Sequence, residues 1–259
     1  MRLAVTTTRR HTAQERAAAL AAAARHALPF APREEASLAA VAHAAGAEAL
    51  LVLSARRAAL WMGDQLTPWQ PGMGELRLRR LLGGEAGDRP TRDGFLEAAQ
   101  LRPGDAVLDA TLGLGADALV AAGAVGAGGR VLGIEVSPAR AALVAEGLRR
   151  HGSDAAARID VVAGDACEVM RDLPDRSFDL VAFDPMFRHG RDGAPPFDLV
   201  RRLADPRPLS QEALAHARRV ARRAVVVKDG VPGWDLARLG LAPIATARWA
   251  ERLYARIDL

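Results

Sequence analysis

The sequence predicts an α/β protein with a mostly parallel seven-stranded sheet, a C-terminal antiparallel hairpin closing it, and a small N-terminal α/β domain in front. Three observations carry that reading. From about residue 92 onward, short aliphatic runs alternate with segments of helical spacing, the rhythm of parallel strands joined by crossover helices. Each of the first four runs is followed by an acid, Asp109, Glu135, Asp165 and Asp184, so one edge of the sheet carries a row of carboxylates. Before residue 90 the texture differs, and Gly83-Gly84-Glu85-Ala86-Gly87-Asp88-Arg89-Pro90 is rich enough in turn formers to be a linker.

The elements follow in order. Leu3 to Thr6 is strand-like, Gln14 to His26 helical, and Ala49 to Leu53 and Ala58 to Met62 are apolar runs, which together make an accessory domain over residues 1–90. In the second domain, residues 91–259, Ala106-Val107-Leu108 is the first strand and a helix opens near Asp117. Arg130 to Ile134 is the second strand, and Pro138 to Arg149 is a helix opened by Ser137 and Pro138. Strands at Ile159 to Val162 and Phe178 to Phe183 come next, then a helix from Gln211 to Arg222 leading into Ala224-Val225-Val226-Val227. Ile244 to Trp249 and Leu253 to Ile257 alternate apolar and polar residues around Glu251 and form the hairpin.

Composition bounds the function. Of the 259 residues half are hydrophobic, enough for a sizeable core, and the single cysteine, Cys167, has no partner for a disulfide or a cysteine metal site. No run is long and apolar enough to span a bilayer, and the alanines at 17–24 lie between Arg16 and Arg25 without a signal-peptide layout. The expectation is a cytoplasmic protein with no membrane partner and no metal. Residues 1–93 hold 13 Arg against 9 acids, while the rest of the chain is balanced, so a modest positive field on the first part suits a polyanion. Lys228 is the only lysine among 34 arginines, which singles it out as a position favouring a compact ammonium. Oligomeric state leaves no mark in the sequence.

After the first strand, Asp109-Ala110-Thr111-Leu112-Gly113-Leu114-Gly115-Ala116-Asp117 is a glycine-bearing turn that opens a helix, and Gly113 and Gly115 let backbone approach a ligand closely. The run also satisfies a loose dinucleotide fingerprint, with Glu135 about twenty residues on. Asp109 separates the two cofactor classes. A carboxylate there faces a pyrophosphate unfavourably but suits the cationic amino-acid end of S-adenosylmethionine. Glu135 then accepts from ribose hydroxyls, Val136 lies against adenine, and Asp165 accepts from the adenine amine.

Following the fourth strand, Asp184-Pro185-Met186-Phe187 places an acid, a kinked backbone and an aromatic ring at the sheet's edge. An exocyclic amine on a nucleobase is a weak nucleophile, because its lone pair is delocalised into the ring. Asp184 and the Pro185 carbonyl can grip its hydrogens while Phe187 holds the flat base. Lys228, at the tip of the fifth strand, is a candidate for holding a phosphate or base oxygen, and Arg188, beside Phe187, falls where the target is touched. Arg77, Arg79 and Arg80 are candidates for gripping an RNA backbone. Arg218, Arg219, Arg222 and Arg223, near a helix end, have a structural role. The remaining alternatives are a methyltransferase for a small molecule or protein amine, a nicotinamide-dependent oxidoreductase, and a non-catalytic RNA-binding protein.

Three stretches, Val107 through Ala118, Asp184-Pro185-Met186-Phe187 and Val225-Val226-Val227-Lys228, resemble the RsmJ-like branch of the class I S-adenosylmethionine-dependent methyltransferases, which act on guanine N2 in small-subunit ribosomal RNA. Methionine after the proline is the distinctive match. The resemblance covers roughly residues 92 to 230 and, more loosely, Leu51 to Met62. It implies a Rossmann-like sheet, that RNA as partner, and cofactor contacts at Ala116, Asp117, Glu135, Val136, Asp165, Ala166 and Asp184. Arg188 stands where well-known members have proline.

Overall fold

The computed structural model describes residues 1–83, 92–185, 202–203, 205–244 and 252–259, which fall into two compact units. Met1–Gln70 and Pro138–Gly152 form the first, and Pro71–Ser137 and Ser153–Leu259 the second. The division differs from the one expected at residue 90. Residues 71–83 go with the second unit, and the helix beginning at Pro138, expected among the elements of the second domain, goes with the first.

The first unit holds a four-stranded sheet in the order β1 (Leu3–Thr7), β2 (Ala49–Leu53), β3 (Ala58–Met62), β4 (Gln65–Pro68). β1 and β2 are parallel and wholly buried, which explains the uninterrupted apolar run of β2, although β1 ends in the buried Thr6 and Thr7; β3 and β4 turn back antiparallel. The four residues of β4 are too few to signal a strand from alternation alone. α1 (Ala13–Arg25) opens on a capping box in which the Thr12 hydroxyl accepts from the Glu15 N–H and the Glu15 carboxylate from the Thr12 N–H. α2 (Leu38–Ala44) starts at Ser37, whose hydroxyl accepts from the Ala40 N–H.

The helix Pro138–His151 is fixed inside this unit by Glu146. Its carboxylate is fully buried, with Arg25 Nη2 at 2.8 Å, His26 Nε2 at 3.1 Å and Arg150 Nη1 at 2.6 Å. Burial alone would raise its pKa, but these partners outweigh burial and hold it down at about 2. A depressed carboxyl pKa contributes stability that is whole above the ordinary glutamate range and fades as the pH falls through about 2. Glu146→Gln leaves buried cations short of a counter-charge. It is expected to destabilise the first unit by roughly 3–5 kcal/mol near neutrality and by much less near pH 3, as read by urea unfolding at the two pH values.

In the second unit the chain runs α3 (Met73–Leu81), α4 (Gly94–Ala99), β5 (Ala106–Asp109), α5 (Ala116–Val125) and β6 (Arg130–Glu135). After the 138–151 helix, which is α6, follow β7 (Ile159–Ala163), α7 (Ala166–Asp172), β8 (Phe178–Phe183), α8 (Gln211–Val220), β9 (Ala221–Gly230), α9 (Trp234–Arg238) and β10 (Arg252–Asp258). The sheet order is β10-β9-β8-β5-β6-β7, with five parallel strands and β10 antiparallel to β9. This is the Rossmann-like sheet of the class I fold. Six strands are present among the described residues. The seventh expected strand falls on 245–249, outside them, although the Ile244 N–H does donate to the Tyr254 carbonyl.

One boundary differs from the sequence reading. The last helix before β9 stops at Val220, and the strand begins at Ala221, because Ala221 is already extended and pairs with Phe178 ahead of a bulge. Leu108, Ile134, Val181, Phe183, Val225 and Val227 fill the core beneath the strands. The strand order reverses between the parallel neighbours β5 and β8, which lie side by side with Asp109 opposite Ala182. In open sheets of this kind such a switch point leaves a crevice at the strands' carboxyl ends.

Candidate active site

Asp109 ends β5 at that crevice and is only 5% exposed, its carboxylate accepting from the Thr111 N–H at 3.2 Å. Burial, with the nearby charge of Asp117, pushes its pKa up to about 8. The loop beyond it turns on Gly113 and Gly115, both in the left-handed region at φ 56° and 82°, where a side chain is disfavoured. Gly115 then precedes α5, which begins at Ala116. The Gly113 N–H donates to Glu135 Oε2 at 3.1 Å and the Ser137 N–H to Oε1 at 2.8 Å, so the loop is tied to the end of β6. Glu135 is thus a buried anchor at the strand end, and Val136 beside it is partly buried.

The loop is also pressed from α3. A Cβ added at Gly74 would lie 2.8 Å from the Ala116 Cα, so only glycine permits this approach of two backbones. α3 thereby carries Arg77 to α5. Arg77 donates to both oxygens of Asp93, at 2.7 and 3.0 Å, and to Asp117 Oδ1. On its other oxygen Asp117 accepts from Lys228 Nζ at 3.1 Å, and the same ammonium donates to Asp184 Oδ2 at 2.6 Å. A chain of charges, Asp93, Arg77, Asp117, Lys228 and Asp184, therefore joins α3, α5, β8 and β9. The Asp184 N–H donates to the Thr111 hydroxyl at 2.6 Å, linking this chain to the cofactor-loop candidate.

Within the chain the carboxylates are unequal. Burial would raise Asp117, but Lys228 and Arg77 outweigh it and hold Asp117 low. For Asp184, burial and the charge of Asp117 prevail over the pull of Lys228 and push the carboxyl upward. Lys228 is raised above its ordinary value, because Asp184 and Asp117 more than offset its burial. Tyr254, opposite Lys228 in the β9–β10 ladder, is pushed up to about 12 by burial, against the pull of Lys228. Asp184 keeps a third of its side-chain surface exposed, whereas Asp117 keeps 9%. Of the acids in the chain, Asp184 is the one that faces outward.

Of the residues singled out in the sequence, the structure brings Asp109, Asp117, Asp184 and Lys228 into one electrostatic cluster, with Pro185 next in sequence to Asp184 and partly buried. Asp165 also has a local task. It caps α7 by accepting from the Cys167 and Glu168 N–H groups, and its second oxygen accepts from Arg207 at 2.7 Å; Ala166 opens that helix. Phe187 and Arg188 lie outside the described residues. The ammonium of Lys228 is given to carboxylates, not held out to solvent. Arg77, expected to grip RNA, is likewise committed to Asp93 and Asp117, while Arg79 pairs with Glu75 on the exposed face of α3. Arg219, in the last turn of α8, pairs with Asp175, whereas Arg222 and Arg223, expected near a helix end, lie in β9 and pair with Asp179 and Asp105.

Sequence reasoning missed Arg77's partnership, Asp93, Thr111 and Tyr254. The one available signal was the solitary lysine, since a lone ammonium in an arginine-rich chain suggests a confined site. Among the described residues no group of His, Cys, Asp and Glu side chains could hold a metal ion, and no helix is long and apolar enough to cross a membrane.

A sheet of this order, with a glycine turn and acids at its switch point, defines a class I methyltransferase. The family model described as "Putative SAM-dependent methyltransferase" matches residues 76–237, and the chain belongs to that family, whose cofactor is S-adenosylmethionine. Among its relatives, Uncharacterized protein YpiP of Bacillus subtilis (strain 168) is 39% identical over 62% of this chain and 63% of its own. Ribosomal RNA small subunit methyltransferase J of Halorhodospira halophila is 41% identical over 55% of this chain and 57% of its own, and that of Pseudomonas aeruginosa is 34% identical over 66% and 73%. The chain thus spans about three fifths of the length of the first two. Among solved structures, TrmN from Thermus thermophilus is similar over 99% of this chain and 71% of its own at 17% identity and a TM-score of 0.47.

The residues present fit that cofactor. The pKa of Asp109 is held up by burial and by the charges of Asp117 and Asp184, so a cationic ligand beside it is favoured by drawing its carboxyl back to the ionised form. Left-handed glycines open the adjoining backbone to close approach.

Proposed function

We propose that the protein transfers a methyl group from S-adenosylmethionine to the exocyclic amine of a nucleobase, guanine N2 in small-subunit ribosomal RNA. The observation that carries this is Asp184: an outward-facing carboxylate at the switch point, followed by Pro185 and held by one ammonium. Relatives named as small-subunit ribosomal RNA methyltransferases add support for the substrate.

In this reading Asp109, Gly113, Gly115, Ala116, Asp117, Glu135, Val136, Asp165, Ala166 and Asp184 surround the cofactor, which supplies an electrophilic methyl on a sulfonium when bound. Asp184 and the Pro185 carbonyl accept hydrogen bonds from the target amine and turn its lone pair toward the methyl. As the nitrogen bonds to carbon it becomes positive, so both acceptors stabilise the transition state more than the ground state. Asp184, made more basic by burial, takes the proton that the nitrogen must lose. Lys228 keeps Asp184 oriented and ionised without touching the base. Phe187 provides a flat surface for a base drawn out of its stack.

Methyl transfer from labelled cofactor should be compared on small-subunit RNA, protein and metabolite extracts, and the RNA digested to nucleosides. Label in N2-methylguanosine is the expected result. Label confined to protein or metabolites would replace the nucleic-acid reading with that of a small-molecule or protein-amine methyltransferase.

A further inference from the structure

The first unit contains a guanidinium cluster that the chemistry above does not use. Its parallel strands β1 and β2 end together, Thr7 opposite Leu53, and the Thr8 N–H still donates to the Leu53 carbonyl past their ends. Arg9 and Arg10 follow β1, while Arg56 and Arg57 sit in the turn after β2. Glu15 ties the two loops together, because its Oε1 accepts from the Ala55 N–H and its Oε2 from the Thr12 N–H. The same turn is held from α6, where Arg150 Nε donates to the Ser54 carbonyl at 2.8 Å. Arg33 lies near enough to Arg9 for their like charges to interact.

We propose that this edge, formed by Arg9, Arg10, Arg33, Arg56 and Arg57, grips the sugar-phosphate backbone of the RNA substrate. Arg9, Arg10, Arg56 and Arg57 are exposed and Arg33 is half-buried. The guanidinium groups of Arg10, Arg56 and Arg57 make no ion pair or hydrogen bond among the described residues. The acids nearby, Glu15, Glu34 and Glu35, are fewer than the five arginines, and the one ion pair of the cluster among the described residues is that of Arg9 with Glu35. Glu15 is spent on backbone N–H groups, Glu34 is exposed, and Glu35 is 89% exposed with one oxygen 3.7 Å from Arg9 Nε.

The α1 N-terminus is not the anion site, since its capping box already occupies it. Side chains carry the charge instead. Guanidinium groups bind phosphate oxygens through paired donors, and a backbone grip requires charge and reach but no base reading. Around the cluster lie Thr8, Ser54 and Ala55, while Phe30 lies beneath the Arg16 guanidinium, so the edge lacks the aromatic anchors of a protein hot spot. That favours RNA over an acidic protein.

The inference rests on the RNA substrate proposed above, and its test separates the two. The full chain with Arg9, Arg10, Arg56 and Arg57 all replaced by Gln is compared with wild type and with Arg79→Gln/Arg80→Gln, using labelled methyl transfer to small-subunit RNA, RNA affinity across a salt series, and calorimetric binding of S-adenosylhomocysteine. Expected for the fourfold variant are an RNA KM higher by about tenfold or more, an unchanged kcat at saturating RNA, and a salt exponent smaller by about 3, at ~0.7–0.9 per lost phosphate contact. Cofactor affinity should match wild type, which also reports that the protein is folded. An RNA KM and salt exponent equal to wild type would overturn the assignment, as would an equal loss per charge in the Arg79/Arg80 variant. Wild-type protein that methylates no RNA would instead overturn the substrate reading.

Discussion

Replacing Asp184 with alanine should lower kcat about a thousandfold while leaving S-adenosylhomocysteine affinity within about tenfold, because proton-accepting side chains in the reacting position are typically worth 10²–10⁴ in rate. The protein should tolerate the change. Lys228 keeps Asp117 as a partner, and Asp184 keeps a third of its side-chain surface exposed, so no ammonium is left buried alone. Single-turnover transfer at saturating cofactor and RNA isolates the chemical step. A variant retaining a tenth or more of the wild-type rate would remove Asp184 from the reaction.

The second large effect is on pH dependence. Lys228→Met keeps the length of the stem but removes the ammonium 2.6 Å from Asp184. Asp184 then keeps Asp117 as a like-charged neighbour, with the opposing charge of Arg252 remaining. Its carboxyl, raised in the native protein, rises further, so the acidic limb of kcat should move up by at least about one pH unit, equivalent to ~1.4 kcal/mol. Activity should recover toward wild type at high pH, and Lys228→Arg should restore most of the limb.

The stability of the methionine variant follows the same sign. A folded carboxyl pKa above the unfolded one contributes stability only while protonated, so this variant should lose stability more steeply than wild type as the pH rises from 5 to 8. Should the limb stay in place while KM for RNA increases at every pH, Lys228 would be a substrate contact, as expected from its position at the strand tip. Its bonds to Asp184 and Asp117 argue for the positioning role.

The strands and their acids were legible because each obeys a local rule. Apolar runs such as Leu180 to Phe183 are buried on both faces and end where a carboxylate can meet solvent or ligand. Gly113 and Gly115 were legible because a turn into a helix at a ligand edge requires left-handed backbone. The charge chain was not. Arg77 sits among Arg79 and Arg80 on one short helix, and neither spacing nor composition distinguishes the one that turns inward to Asp117, forty residues away. Asp165 reads as a ligand acid by position, and its contacts with the α7 N–H groups and Arg207, the latter 42 residues away, were not legible beside that. The grouping of α6 with the first unit was hidden for a similar reason. It is set by the buried contacts of Glu146 with Arg25 and His26, about 120 residues earlier.

The most direct test of the central claim is a crystal of the protein soaked with S-adenosylmethionine. The account predicts the donor at the carboxyl edge of β5, β6 and β8, its cationic end against Asp109 and Asp117 and its methyl group within reach of the Asp184 carboxylate and the Pro185 carbonyl. Donor bound at another surface, or bound at this edge with its methyl turned away from Asp184, would contradict it.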